Sequence, residues 1–336
     1  MRIITLLITL VFSLLSVTGW AQTGAAQTGR YAQTDALRAD NRINELPRYG
    51  GLRKTPEQLA ADEQFVAVSL AKYGSPQAAM QAHVNFGWHY LATGHAPTAI
   101  KRFNQAWLLD STAADVYYGF SAYLRQQGQL EQAEHYVELG QRHDIDHKGI
   151  VRYYGSLAMG KEAKRDYGGA IALYHQIVQQ DADNAFANKK LGYWYMEQDT
   201  ARANVYLSRA VVLDPHDSVS YLNRGWLRYK QKHYDMAVDD YSQAVQINPH
   251  YLAAYSNRAL AHLAAKDSAA ANADWQRGLQ LVAPREKGSY YMFMAQSKQE
   301  AGDRPGACAA WHEALRWGLE PDQIRQARRS MKAVCP

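Results

Sequence analysis

The sequence predicts an all-α fold built from stacked helix pairs. A self-similar segment of about 34 residues recurs along the chain, and a fixed period of this length is typical of a repeat array. After allowance for three extra residues in the third repeat and one fewer in the fourth, each repeat has a small residue at its eighth and twentieth positions and a larger apolar or aromatic residue at its twenty-fourth. Two repeats end in Asp-Pro or Asn-Pro, which stops a helix because the residue before Pro avoids the helical region. The predicted repeats span 80–113, 114–147, 148–184, 185–217, 218–251, 252–285 and 288–321.

Three segments precede this array. Residues 1–21 have the pattern of an export signal, with a positive start, an apolar run and small residues at a cleavage site after Ala21. An uncleaved membrane anchor is the alternative, because residues 3–20 are nearly long enough to span a bilayer. Residues 22–54 lack apolar periodicity and predict a flexible linker or arm. Residues 55–74 start with a Thr cap followed by Pro, which predicts a leading helix.

Each repeat is expected to contain helix A, a short turn, helix B and a second turn. Gly94, Gly128 and Gly302 stand where helix A must end, as glycines in C-terminal caps do. The third repeat carries three extra residues, which we expect in its A–B turn around residues 160–165. Residues 322–336 predict a capping helix, because a repeat array needs a polar end to cover its last apolar face.

The two cysteines of the chain, Cys308 and Cys335, both lie near its C-terminal end. In an oxidising compartment such a pair is expected to form a disulfide, which would attach the capping helix to helix B of the last repeat. The alternative is two buried free thiols, since an unpaired Cys packs as a small apolar side chain.

The spacing within the repeats resembles that of the tetratricopeptide repeat (TPR) family. The clearest copy reads Tyr221-x-x-Arg224-Gly225-x-x-Arg228, then Ala237-x-x-x-Tyr241-x-x-Ala244 and Asn248-Pro249. The resemblance implies a right-handed α–α superhelical solenoid of about seven helix pairs, and arrays of this kind usually present a binding surface. The sequence departs from the family at Arg224 and Arg258, where an apolar residue is usual. These arginines are expected either to reach the surface or to pair with a carboxylate.

The resemblance also implies where a partner binds, since helix A lines a concave groove in this family, mainly through its second, fifth, ninth, twelfth and thirteenth positions. The groove positions carried onto this sequence are Trp88, Tyr118, Arg125, Arg152, Lys189, Tyr193, Trp226, Tyr229 and Lys230. Aromatic rings give contact area at low entropic cost, and cations set the register of a bound peptide. The family's carboxylate clamp is not reproduced, because Asn85, Asn223 and Asn257 lack the accompanying Lys and Arg.

Other function classes find little support in the sequence. The net charge of +5 is scattered, whereas a nucleic-acid surface would concentrate its Lys and Arg. No phosphate-binding loop or nucleophile elbow is present. The best metal candidate is His143-Asp144-Ile145-Asp146-His147, but this segment lies at a turn between repeats, where Asp commonly caps a helix.

We therefore expect a non-enzymatic scaffold or adaptor without a cofactor, which binds a peptide or partner protein in the groove. The export signal implies a periplasmic or extracellular location without stable membrane insertion after cleavage. One alternative is a glycan-binding module that stacks sugars on Trp88, Tyr193 and Trp226. A less favoured alternative is a metal-dependent enzyme that uses His143 and His147.

Overall fold

The computed structural model describes residues 42–335. These residues form 16 α-helices and three short 3-10 helices, and no β-strand occurs among them. The predicted all-α array of seven helix pairs with a capping helix is confirmed. The predicted export signal and residues 22–41 of the predicted linker lie outside the described part of the chain.

The helices follow the predicted order. Helix α1 (Pro56–Tyr73) leads, and α16 (Pro321–Val334) closes the array. The seven pairs between them are α2 (Pro76–Ala92) with α3 (Ala96–Leu109), α4 (Ala114–Gln126) with α5 (Leu130–His143), α6 (Lys148–Ala163) with α7 (Tyr167–Gln180), α8 (Ala185–Tyr195) with α9 (Thr200–Leu213), α10 (Ser218–Lys230) with α11 (Tyr234–Ile247), α12 (Leu252–Ala264) with α13 (Ser268–Leu281), and α14 (Lys287–Glu300) with α15 (Arg304–Trp317). None of these helices combines the length and apolar character that crossing a membrane requires.

The chain divides into two compact units. The N-terminal unit extends to Tyr153, and the C-terminal unit begins at Tyr154, within helix α6.

The small residues of the repeat allow helices A and B to approach closely. In the N-terminal unit, a Cβ at Gly87 would lie 2.5 Å from Cε1 of the buried Phe103 ring. In the C-terminal unit, a Cβ at Gly225 would lie 2.7 Å from Cε1 of the buried Tyr241 ring. Interiors are close-packed, so a side chain at either glycine would displace the aromatic ring that fills the core.

The extra residues of the third repeat lengthen helix A instead of the turn, so the expectation of a longer turn was wrong. Helix α6 has 16 residues, whereas α10 has 13. Glu162, in the added turn, accepts hydrogen bonds from Lys190 Nζ at 2.8 Å and from Trp194 Nε1 at 3.1 Å. These contacts with α8 stabilise the longer helix.

Residues 42–51, part of the predicted linker, form an arm that packs on the N-terminal unit. Its Ile43 and Tyr49 side chains are buried. The Asn104 amide on α3 donates hydrogen bonds to the carbonyl oxygens of Asn44 at 3.0 Å and Leu46 at 2.9 Å. The arm is therefore held both by two buried side chains and by hydrogen bonds to its main chain.

In the C-terminal unit, Arg224 and Arg258 pair with carboxylates, which selects one of the two predicted alternatives. Asp240 accepts from Arg224 Nη2 at 2.6 Å, and Asp274 accepts from Arg258 Nη2 at 2.6 Å. Both acids lie on helix B of the same repeat and are buried. A charged pair therefore replaces apolar packing between helices A and B in these two repeats.

The capping helix covers the last apolar face of the C-terminal unit. Ala327 and Val334 of α16 belong to the same buried cluster as Trp311 of α15. The predicted disulfide is present, with Cys308 and Cys335 bonded and their Cα atoms 5.2 Å apart. Free thiols, the alternative expectation, are therefore not found at these two positions.

Candidate functional site

In the C-terminal unit, successive A helices lie against one another and present a shared surface. Helix α8 contacts α10, α10 contacts α12, and α12 contacts α14. Side chains three and four residues apart share one side of a helix. We call the surface formed by Phe186, Lys189 and Tyr193 of α8 with Trp226, Tyr229 and Lys230 of α10 the helix-A face.

Aromatic rings dominate the helix-A face. Phe186 and Tyr193 are 40% and 49% exposed. Trp226 and Tyr229 are half-buried and stack on each other, with ring centroids 5.5 Å apart and planes 16° apart. The Tyr193 ring also packs edge-on against Trp194, 5.2 Å away. The rings are thus positioned by neighbouring side chains while two of them keep open surface, which is the arrangement of aromatic anchors in peptide interfaces.

The lysines of the helix-A face are already paired with carboxylates. Lys189 Nζ lies 3.0 Å from Asp217 Oδ2, and Lys230 Nζ lies 2.7 Å from Glu197 Oε2. Both pairs are partly exposed, and such pairs typically contribute no more than about 1 kcal/mol. An acidic ligand could therefore replace these carboxylates at small cost, while the resting face carries little unbalanced charge.

Two predicted site residues of the N-terminal unit occupy different surroundings. Tyr118 is fully buried and donates a hydrogen bond to Asp144 Oδ2 at 3.0 Å. Its ring is part of the core, so Tyr118 is not available to a partner. The prediction that Tyr118 contributes to a binding surface was therefore wrong. Trp88 is half-buried, and its ring packs edge-on against the Phe103 ring, with the two ring centroids 5.6 Å apart.

The two predicted arginines of the N-terminal unit lie in separate polar networks. Arg125 Nε donates to the hydroxyl of Tyr153 at 2.7 Å, and its guanidinium pairs with Glu134. Arg152, whose side chain is 41% exposed, lies 3.3 Å from Asp115 Oδ2 and donates to Asn85 Oδ1 at 3.3 Å. Both arginines are therefore tied to this unit, and Arg152 retains the larger exposed area.

Asp115 is a polar residue of this network that was not among the predicted site residues. Burial raises the pKa of its carboxyl group, and the Arg152 charge acts in the opposite direction. Phe186 was also missed on the helix-A face, although it occupies the second position of its repeat, one of the positions expected to face the groove. Asp115 occupies the second position of its own repeat as well, so that position was the available signal for both residues.

The segment considered for a metal site acts as a helix start. Asp144 accepts hydrogen bonds from the backbone N–H groups of Gly149 at 3.2 Å and Ile150 at 2.7 Å. The His143 ring stacks on Tyr117, with centroids 5.4 Å apart. Asp144 therefore serves α6, as the capping interpretation predicted. Within residues 42–335, a close group of three potential metal ligands occurs elsewhere, at Cys308, His312 and Cys335.

Comparison with known proteins places one repeat in a family. Residues 218–251 match the family model of the tetratricopeptide repeat. Among solved structures, the C-terminal part of a TPR repeat-containing protein from Cytophaga hutchinsonii is 17% identical, with a TM-score of 0.51, over 72% of this chain and 98% of that one. This similarity supports the fold alone.

Two further solved structures are similar over about half of the chain. MamA is 24% identical over 48% of this chain and 93% of that one, with a TM-score of 0.42. YrrB, described as a TPR protein with an unusual peptide-binding site, is 18% identical over 53% and 91%, also with a TM-score of 0.42. No curated protein matches the chain.

Proposed function

Since the chain is a tetratricopeptide-repeat protein, we propose that it is a non-enzymatic adaptor that binds a peptide segment of a partner protein on the helix-A face. The observation that carries this proposal is the pair of exposed rings, Phe186 and Tyr193, beside the stacked Trp226 and Tyr229. Rigid, partly open aromatic surfaces of this kind supply binding energy without ordering long side chains.

The proposed mechanism is presentation of side chains along successive A helices. A bound segment would place apolar side chains against Phe186 and Tyr193 and continue towards Trp226. Acidic groups of the segment would take the places of Asp217 and Glu197 on Lys189 and Lys230. Since each exchanged ion pair contributes little net energy, aromatic contact would dominate affinity and the charges would set register.

We further propose that the protein acts outside the cytoplasm. The export-signal pattern of residues 1–21 supports this location. The Cys308–Cys335 disulfide is consistent with it, because disulfides persist in oxidising compartments.

A random peptide library displayed on phage tests the proposal without a known partner. Peptides selected on the full chain should bind the Tyr193→Ala and Phe186→Ala variants at least about tenfold more weakly, which corresponds to about 1.4 kcal/mol. Trp317→Ala is the matched control, because Trp317 is a similarly exposed aromatic residue, 43% exposed, on α15.

The same variants separate the peptide proposal from the glycan alternative. Peptides that bind all three variants equally, or a library that yields no binder, would contradict peptide recognition on the helix-A face. Polysaccharide binding that depends on Tyr193 and persists at high salt would favour the glycan module instead. Binding through Lys189 and Lys230 should weaken as salt rises, because partly exposed ion pairs are screened.

A further inference from the structure

Cys308, His312 and Cys335 form a cluster where α15 meets the end of α16. The two sulfur atoms and a ring nitrogen of His312 all lie within 4.8 Å of one another. Cys308 and His312 are four residues apart on α15, so their side chains share one side of that helix. Cys335 directly follows the last residue of α16 and reaches the same place. The imidazole is exposed, so an ion in solution can approach it.

The cluster is held together by more than the disulfide. Val334, next to Cys335, is buried in the apolar cluster that contains Trp311. Arg304 Nη2, at the start of α15, donates a hydrogen bond to the carbonyl oxygen of Ala333 at 2.5 Å. These contacts involve neither sulfur atom. They would therefore keep Cys335 beside α15 after the disulfide is reduced.

We propose that the reduced chain binds one Zn²⁺ ion through Cys308, Cys335 and His312. Two thiolates and an imidazole are preferred ligands of Zn²⁺, and a water molecule would complete a tetrahedral site. A Zn–S bond of about 2.3 Å places two thiolate sulfurs about 3.8 Å apart in a tetrahedral site. The Cα atoms of the two cysteines are 5.2 Å apart, so side-chain rotation suffices to reach that separation.

The chemistry requires an external dithiol. The dithiol gives two electrons and two protons to the Cys308–Cys335 bond, which yields two thiols and the cyclic disulfide of the reductant. On binding Zn²⁺, the two thiols release two protons and become thiolate ligands, while neutral His312 donates a nitrogen lone pair. The ion then takes over the role of the disulfide and attaches the capping helix to α15 under reducing conditions.

Cobalt titration of the full chain tests the site, because Co²⁺ reports its ligands in its absorption spectrum. The chain is reduced with a dithiol, desalted without oxygen and titrated with Co²⁺. We expect sulfur-to-cobalt charge-transfer bands that saturate at about one ion per chain, with loss of these bands when Zn²⁺ is added. The oxidised chain should show no such bands, since its sulfur atoms are bonded to each other.

Substitution of the histidine distinguishes a built site from two adventitious thiols. His312→Ala should raise the Co²⁺ dissociation constant at least about tenfold. His143→Ala is the control, because His143 is an exposed histidine outside the cluster, and it should leave the dissociation constant unchanged. Absence of charge-transfer bands in the reduced chain, or equal affinity in His312→Ala, would overturn the proposal.

A stability measurement covers the case in which reduction loosens the C-terminal end. Zn²⁺ should raise the midpoint of thermal unfolding of the reduced chain, because a ligand that binds the folded state stabilises it. The increase should be smaller in His312→Ala. A midpoint that Zn²⁺ does not change in the reduced chain would also contradict the proposal.

Discussion

Replacing Asp240 with Ala is the most informative test of the charged contacts between helices A and B. The Asp240 side chain is 2% exposed, and it lies 2.6 Å from Arg224 Nη2 and 2.8 Å from Arg228 Nη1. Removing one partner of a buried ion pair typically costs about 3–5 kcal/mol. The arginine side chains are 15% and 17% exposed and can recover part of their hydration. We therefore expect Asp240→Ala to lower the free energy of unfolding by about 3 kcal/mol, the lower end of that range.

Urea unfolding followed by far-UV circular dichroism measures this loss. Asp239→Ala is the control, because Asp239 is the exposed neighbour on the same helix and should change stability by less than about 0.5 kcal/mol. Repeat arrays can unfold in parts, so hydrogen exchange of α10 and α11 should show that the loss is centred there.

A second variant separates the lost contact from the stranded charge. Arg224→Met with Asp240→Ala reproduces Met294 and Ala310, which occupy the same two positions in the last repeat. Because this variant removes one buried charge together with its partner, it should regain part of the stability that Asp240→Ala loses. A loss below about 1 kcal/mol in Asp240→Ala, or no recovery in the double variant, would refute the reasoning.

Three further predictions follow from the packing of the two units. Gly225→Ala should lower the free energy of unfolding, measured in urea, by about 1–3 kcal/mol, because the new Cβ would meet the Tyr241 ring. Gly168→Ala is the control and should not destabilise the chain, because its new Cβ would meet no atom within 4 Å. Burial lowers the pKa of His83 from 6.5 to about 4, and the nearby Arg102 guanidinium acts in the same direction. The folded state therefore favours the neutral imidazole, so stability should fall as the pH drops from about 6.5 towards 4. His83→Phe should flatten this dependence in urea titrations at several pH values. Asn104→Ala removes two hydrogen bonds to the arm and should weaken the attachment of the arm by about 1–3 kcal/mol. Hydrogen exchange of residues 43–51 should become faster without a similar change elsewhere. Unchanged exchange in residues 43–51 would contradict the role of Asn104 in holding the arm.

The fold could be predicted from the sequence because its packing is local and repeated. Gly87 and Gly225 recur at the same repeat position, and each faces an aromatic ring of its own repeat. Such contacts join residues only 16 positions apart, and they return with every repeat. Period and residue size were therefore sufficient to predict them.

The surroundings of Tyr118 could not be predicted in the same way. Its position in helix A indicated a surface residue, yet a Cβ at Gly140 or Gly149 would lie 2.8 Å from its ring. These two glycines, on α5 and α6, allow the backbone to approach and cover the ring. Accessibility at that position depends on residues in the rest of the second repeat and the start of the third, which a positional rule does not include.

The arm and the ion pairs depend on contacts distant in sequence. Asn104 holds carbonyl groups 60 and 58 residues earlier in the chain, and no periodic signal connects them. Similarly, Lys189 could have met several acids, and its pairing with Asp217 depends on where α10 begins beside α8. The sequence therefore indicated the composition of the helix-A face but not its charge balance.

The charged pairs of the fifth and sixth repeats have a consequence for how the chain avoids misfolding. Helices of similar sequence can exchange partners along an array and become trapped in a wrong arrangement. If α11 paired with α8, Asp240 would face Leu191, which stands where Arg224 stands in its own repeat, and a carboxylate would be buried without a counter-charge. Such a mispaired intermediate would be disfavoured by several kcal/mol. The two charged pairs therefore favour arrangements in which α11 and α13 each pack against a helix A that carries an arginine.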